Sequence, residues 1–155
     1  MADDIHLNKE NKGSYVLVLK LEQPCQIEAG KLPGRQYPKG LYFYIGRAKR
    51  NLRGRLARHL RTEKKLFWHI DYLLRNAQIK EIWCRSGYFN ECQLASDIIG
   101  MCGKYSFPIP GFGASDCRCS SHLIQYAGKE SSLSSLRNQI IHRKVKIDDI
   151  QTDPF

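Results

Sequence analysis

The chain has 155 residues, enough for one domain with a sizeable core and too few for two ordinary ones. Hydrophobic residues make up 42% of it, which argues against disorder for the bulk, and 25 Lys and Arg against 15 Asp and Glu leave a net charge of +10. That excess favours a polyanionic partner, because each phosphate neutralised releases condensed counterions.

Residues 1–12 read as a flexible leader, without the basic start and apolar stretch of a signal peptide. No apolar run approaches the length of a membrane-spanning helix. A soluble, intracellular protein in cytoplasm, nucleoid or nucleus is expected, with its six cysteines as free thiols or metal ligands rather than a disulfide framework.

Strand composition starts at Gly13, where Tyr15 to Leu19 is aromatic, β-branched and apolar. The stretch from Pro24 to Gly40, punctuated by Pro and Gly, predicts a short strand and turns. Leu41 to Ile45 predicts a firm strand whose alternation puts Tyr42 and Tyr44 on one face and Leu41, Phe43 and Ile45 on the other. A helix follows from about Asn51 to Arg61, with Leu52, Leu56 and Leu60 on one stripe. A second is expected over Leu66 to Ala77, then a strand over Lys80 to Arg85. Asn90 is a good N-cap for a third helix running towards Tyr105. His122 to Ala127 reads as a last strand, and Leu133, Leu136, Ile140 and Ile141 as an amphipathic terminal helix. The expected class is α+β, a small mixed or antiparallel sheet flanked by helices in the order β-β-β-α-α-β-α, with a domain over 13–128 and a C-terminal helical extension and tail over 129–155.

Several side chains carry possible chemistry. At 100° per residue, Arg55 and His59 border the apolar stripe of the first helix, two cationic residue types one turn apart. Taken alone, this is more often a snorkelling arginine beside a boundary histidine. Tyr42 and Tyr44 on a strand are, taken alone, packing residues. Glu91 in a first helical turn, taken alone, serves the helix dipole.

Together they resemble a known pattern. Gly13-Ser14-Tyr15 is similar to the GIY triplet of the GIY-YIG nucleases, and Tyr44-Ile45-Gly46 is the YIG triplet itself. Arg47-Ala48-Lys49, then Arg55 and His59, resemble the stretch that follows it, and Glu91 stands where that family places its metal-binding carboxylate. A narrower resemblance, to one poorly characterised branch of the superfamily, is carried by the motifs Trp68 to Leu74, Glu91 to Ala95 and Gly111 to His122. Members of that branch are single domains or are fused to DNA-repair glycosylases.

The resemblance implies a divalent-metal-dependent DNA endonuclease, in repair or recombination, with RNA as an alternative substrate. Glu91 would hold one Mg²⁺ or Mn²⁺. Arg55 would stabilise charge on the pentacoordinate phosphorus. Tyr15 or Tyr44 would accept a proton from the attacking water once neighbouring cations had lowered its pKa, and His59 would share that role or bind the phosphate. Arg47, Lys49, Arg50, Arg53, Arg58 and Arg61 are the expected nucleic-acid contacts. The alternative is a non-catalytic nucleic-acid-binding module of the same fold. Three departures stand out: Ser14 replaces isoleucine, the interval from Tyr15 to Tyr44 is widened by an insertion over 24–40, and Arg47 replaces a small serine.

Cys117, Cys119 and His122 form a Cys-x-Cys-x₂-His arrangement, with Cys92 and Cys84 as further thiolates that would complete a Zn²⁺ site. Buried cysteines with a hydrogen-bonding histidine are the commoner arrangement. Asp116 and His122 are alternatively expected to line the cleft. His69 and Asp71 are secondary candidates, since Trp68 and Tyr72 beside them also fit a packed aromatic pair.

Overall fold

Gly13–Leu21 forms β1, the strand around which the sheet is built, and all of it except Lys20 is buried. The computed structural model describes residues 12–29, 32–86, 90–113, 121–140 and 143–151. Along the chain follow β2 (Cys25–Ala29), β3 (Leu32–Tyr37), β4 (Gly40–Ala48), α1 (Leu52–Leu60), α2 (His69–Leu73), β5 (Ala77–Ser86) and α3 (Glu91–Cys102). Then come β6 (Ser106–Pro108), β7 (Leu123–Tyr126), α4 (Leu133–Ile140), β8 (Arg143–Val145) and α5 (Ile147–Gln151). Six strands make one antiparallel sheet in the order β6-β7-β4-β1-β5-β8, and β2 pairs only with β3. The class is α+β, as expected.

Because β1 is central and covered on both faces, its alternation divides two apolar residue sets rather than apolar from polar. Tyr15, Leu17 and Leu19 face α1, α2 and the β2–β3 hairpin, where they meet Leu52, Leu56, Ile70 and Leu73. Val16 and Val18 face α3 and α4, with Phe43, Ile45, Trp83, Leu94 and Ile98. Each fully buried side chain of this size contributes about 1.5–3 kcal/mol. The face assignment for β4 holds: Tyr42 and Tyr44 belong to the first core, Leu41, Phe43 and Ile45 to the second.

The second helix is much shorter than expected, five residues instead of the span from Leu66 to Ala77. The carboxylate of Asp71 accepts the N–H groups of Phe67 and Trp68, both at 2.8 Å, which holds the chain before His69 extended. At the other end Ala77 pairs with Leu21, so the backbone leaves the helix early to enter β5. The stretch over 24–40 holds a hairpin of two strands rather than one short strand. Beyond residue 128 the chain also supplies β8, paired to β5, and α5, whose Asp149 carbonyl accepts from Arg53 at 3.0 Å. Among the described residues no helix is long and apolar enough to cross a membrane.

This topology gathers five element ends. β4 is antiparallel to β1, and so is β5, so the start of β1 lies beside the ends of both. From there β4 leads into α1 and β5 leads towards α3.

Candidate active site

At that end of the sheet opens a cleft of about 1150 Å³. Tyr15, Tyr44, Arg55 and Glu91 all line it, with Arg47, Lys49 and Arg50 among its cations. The two tyrosines share a face of adjacent strands, since Leu17 pairs with Tyr44 and Tyr15 with Gly46. A Cβ on Gly46 would sit 2.5 Å from the Tyr15 hydroxyl, so the third residue of the YIG triplet is glycine because the phenol lies directly over it.

The Tyr15 hydroxyl and Nε2 of His59 are 2.7 Å apart, and His59 is buried. Its Nδ1 has no hydrogen-bond partner among the described residues. A histidine tautomer is ordinarily fixed by the bond its other nitrogen makes; with none there, Nε2 is free to accept the phenol proton or to give it back.

Both phenols are held above their usual pKa. Burial dominates at Tyr15, reinforced by the Tyr44 phenol and opposed by the Arg55 guanidinium; burial and then Glu91 raise Tyr44. The expectation that neighbouring cations lower one of them is therefore corrected: Arg55 pulls in that direction and desolvation outweighs it.

His59 stays neutral far into acid. Burial first, then the positive charge of Lys64, brings its pKa down from 6.5 to about 3. The unfolded chain thus binds a proton that the folded one refuses between those values. The contribution to stability is complete above pH 6.5 and is lost as pH falls. Urea unfolding at about pH 4.5 is expected to show roughly 2–3 kcal/mol less stability from this group than at pH 7. The variant His59→Gln should flatten that dependence; an unchanged slope would place its source elsewhere.

Arg55 donates to the Arg47 carbonyl at 2.9 Å, and its guanidinium lies 4.6 Å from the Trp68 ring centroid. Glu91 sits in the first turn of α3, where Asn90 caps the helix by accepting the Gln93 N–H at 2.9 Å. Its carboxylate takes an ion pair from Arg47 at 3.3 Å and lies 4.0 Å from Nδ1 of His122. Arg47 therefore reaches the acid as well as the cleft.

The other expected contacts divide. Arg53 goes to the α5 carbonyl, and Arg61 is exposed at the end of α1. Arg58 makes a bidentate bond to Asp71, 2.9 Å at each oxygen, and lies 4.4 Å from Trp68. Asp71 is wholly buried: burial acts to raise its pKa, and the bonds from Arg58 and the Trp68 and Phe67 N–H groups outweigh that and lower it. Asp71 is a fastening for the strap over 67–68. Nδ1 of His69 accepts the Gly113 N–H at 2.9 Å and so ties that strap to the turn before β7.

Cys25, Cys84 and Cys102 are free; burial pushes the Cys84 thiol up to about 12, so it stays protonated. Cys92 is disulfide-bonded, against the expectation of thiols or metal ligands, and its Sγ lies 3.6 Å from Nε2 of His122. Spacing along the chain does not reveal which sulfurs meet in space. Asp116, Cys117 and Cys119 lie outside the described residues. Among the described residues no three His, Cys, Asp or Glu side chains gather to hold a metal ion. Among the described residues that line the cleft Glu91 is the one carboxylate, a hard oxygen donor that would suit a Mg²⁺ or Mn²⁺ ion whose remaining positions were filled by water and substrate phosphate.

Trp68 and Phe67 line the cleft and went unnoticed as site residues. The Trp68 ring lies tilted against His59, with centroids 5.9 Å apart, whereas the sequence offered Tyr72 as its partner.

Residues 14–145 match the family model for a domain of unknown function, DUF123. The chain belongs to the DUF123 family. No curated protein and no solved structure matches it. The DUF123 match begins inside β1 and reaches the last residue of β8, so it includes every residue placed in the cleft above.

Proposed function

We propose that this DUF123 protein is a DNA endonuclease of the GIY-YIG type that hydrolyses phosphodiester bonds with one Mg²⁺ or Mn²⁺ ion. The observation that carries the reading is that Tyr15, Tyr44, Arg55 and Glu91, contributed by two strands and two helices, line one cleft rimmed by cations. A net charge of +10 supports a polyanionic substrate.

Arg55 binds the scissile phosphate and stabilises its added negative charge from a fixed position against Trp68. The Tyr15 oxygen accepts a proton from the attacking water while its own proton passes along the 2.7 Å contact to Nε2 of His59. No free phenolate is then needed, and the negative charge of a phosphate in the cleft favours the protonated imidazole against the burial, and then the cations, that depress it. Tyr44, on the same face, positions the water. Glu91 would hold the metal ion, which supplies charge neutralisation to the phosphoryl group when bound. Arg47 leaves Glu91 and turns to the incoming phosphate.

The ion pair of Arg47 with Glu91 favours one other reading, a module that binds nucleic acid without cutting it. Incubation with branched, nicked and plain duplex DNA plus Mg²⁺ or Mn²⁺ separates the two. Cleavage by the wild type, lost in Glu91→Ala and Arg55→Ala, is expected. Salt-sensitive binding with no cutting of any substrate would leave the binding module.

A further inference from the structure

Phe67 is 75% exposed, the most exposed large apolar side chain among the described residues. An isolated surface phenylalanine usually means nothing. This one lines the cleft beside Arg55, and its backbone N–H is fastened to the buried Asp71 carboxylate at 2.8 Å. Its ring rests against Trp68 at 5.8 Å, and Trp68 in turn lies against the guanidinium groups of Arg55 and Arg58. An apolar face is thus held open to solvent on a rigid mount, in the cleft whose lining cations, Arg55 among them, would take a sugar-phosphate backbone.

We propose that Phe67 is a stacking platform for an unpaired base adjacent to the phosphate in the cleft. This makes single-stranded DNA, or a duplex with a flap or gap, the preferred substrate, and it rests on the nuclease reading above. Within a duplex both faces of a base are covered by its neighbours, so only a base outside the stack presents a face to the ring. Stacking on an aromatic side chain tolerates any base identity, so the preference is for strand structure and not for sequence. A duplex held by its phosphates alone would make no use of Phe67.

Binding is measured in EDTA by fluorescence anisotropy, with labelled single-stranded DNA and with the fully paired duplex of the same sequence. Phe67→Ala is expected to weaken single-strand binding roughly tenfold, to change duplex binding less than about twofold, and to leave the melting temperature unmoved. Phe67→Trp should restore single-strand binding, which loss of mere bulk in the cleft would not explain. Equal losses on both DNAs, or no loss on either, would overturn the platform. If the wild type binds neither DNA, the platform fails; the nuclease reading fails as well only if no DNA is cut with Mg²⁺ or Mn²⁺. If it cleaves DNA with a strand preference that Phe67→Ala does not alter, the platform alone fails.

Discussion

Replacing Asp71 with alanine is expected to lower folding stability by about 3–5 kcal/mol, the largest effect of any single polar substitution in the described residues. The carboxylate is completely buried and receives two guanidinium and two backbone N–H donors. Removal leaves the Arg58 guanidinium, which is partly enclosed, and two N–H groups without their acceptor. The strap over 67–68 then loses its fastening, and with it the placement of Trp68 against His59 and Arg55. Chemical denaturation measures the loss. A change under about 1 kcal/mol would show that water replaces the carboxylate and that the strap is held by other contacts. Arg58→Ala removes the same bond from the other side. It is expected to be destabilising but less so, since the carboxylate left behind keeps its two backbone N–H donors and the strap over 67–68 keeps its fastening.

The second large effect is kinetic. Arg55→Ala is expected to reduce single-turnover cleavage about 10²–10³-fold, the range seen when one preorganised charge-stabilising donor is removed. The fold should survive it, because Arg55 is half-buried at the rim of the helix, and Leu52 and Leu56 supply the core contacts of α1. Arg55→Lys is not expected to restore the rate: a lysine keeps the charge but loses the planar fork that lies against Trp68 and donates to the Arg47 carbonyl. Full activity in Arg55→Lys would make the guanidinium a general electrostatic contributor only.

Local pattern announced much of the scaffold. The alternation of β4 placed its tyrosines on the correct face, the leucine spacing of α1 located its buried stripe, and Asn90 marked the start of α3. The triplets and the acid pointed to side chains that do line one cleft. What stayed hidden depends on partners distant in sequence. The truncation of α2 follows from Asp71 reaching back to Phe67 and Trp68 and across to Arg58, which no helical period announces. The lift in the Tyr15 and Tyr44 pKa values arises from burial at the sheet end, and burial is invisible in a motif. The edge strand β8 is three residues long, too short to show an alternation. Trp68 fits a packed pair with Tyr72 in the sequence because its actual neighbours, Arg55 and His59, come from another helix.

Arg47 marks the tension in the site. Its ion pair with Glu91 occupies the acid with a guanidinium where the proposed chemistry needs a metal ion. A part-exposed pair of this kind is worth roughly 1 kcal/mol, small against the attraction of a divalent cation and a phosphate, so under the proposed function it would be displaced when both bind.

The most direct test of one shared site is a double-variant cycle on single-turnover cleavage, with Arg55→Ala, Glu91→Ala and the combination. Groups acting on the same phosphate are strongly non-additive, so the double variant should be no slower than the worse single one. Losses that multiply, or a Glu91→Ala protein that cuts at the wild-type rate, would contradict the account.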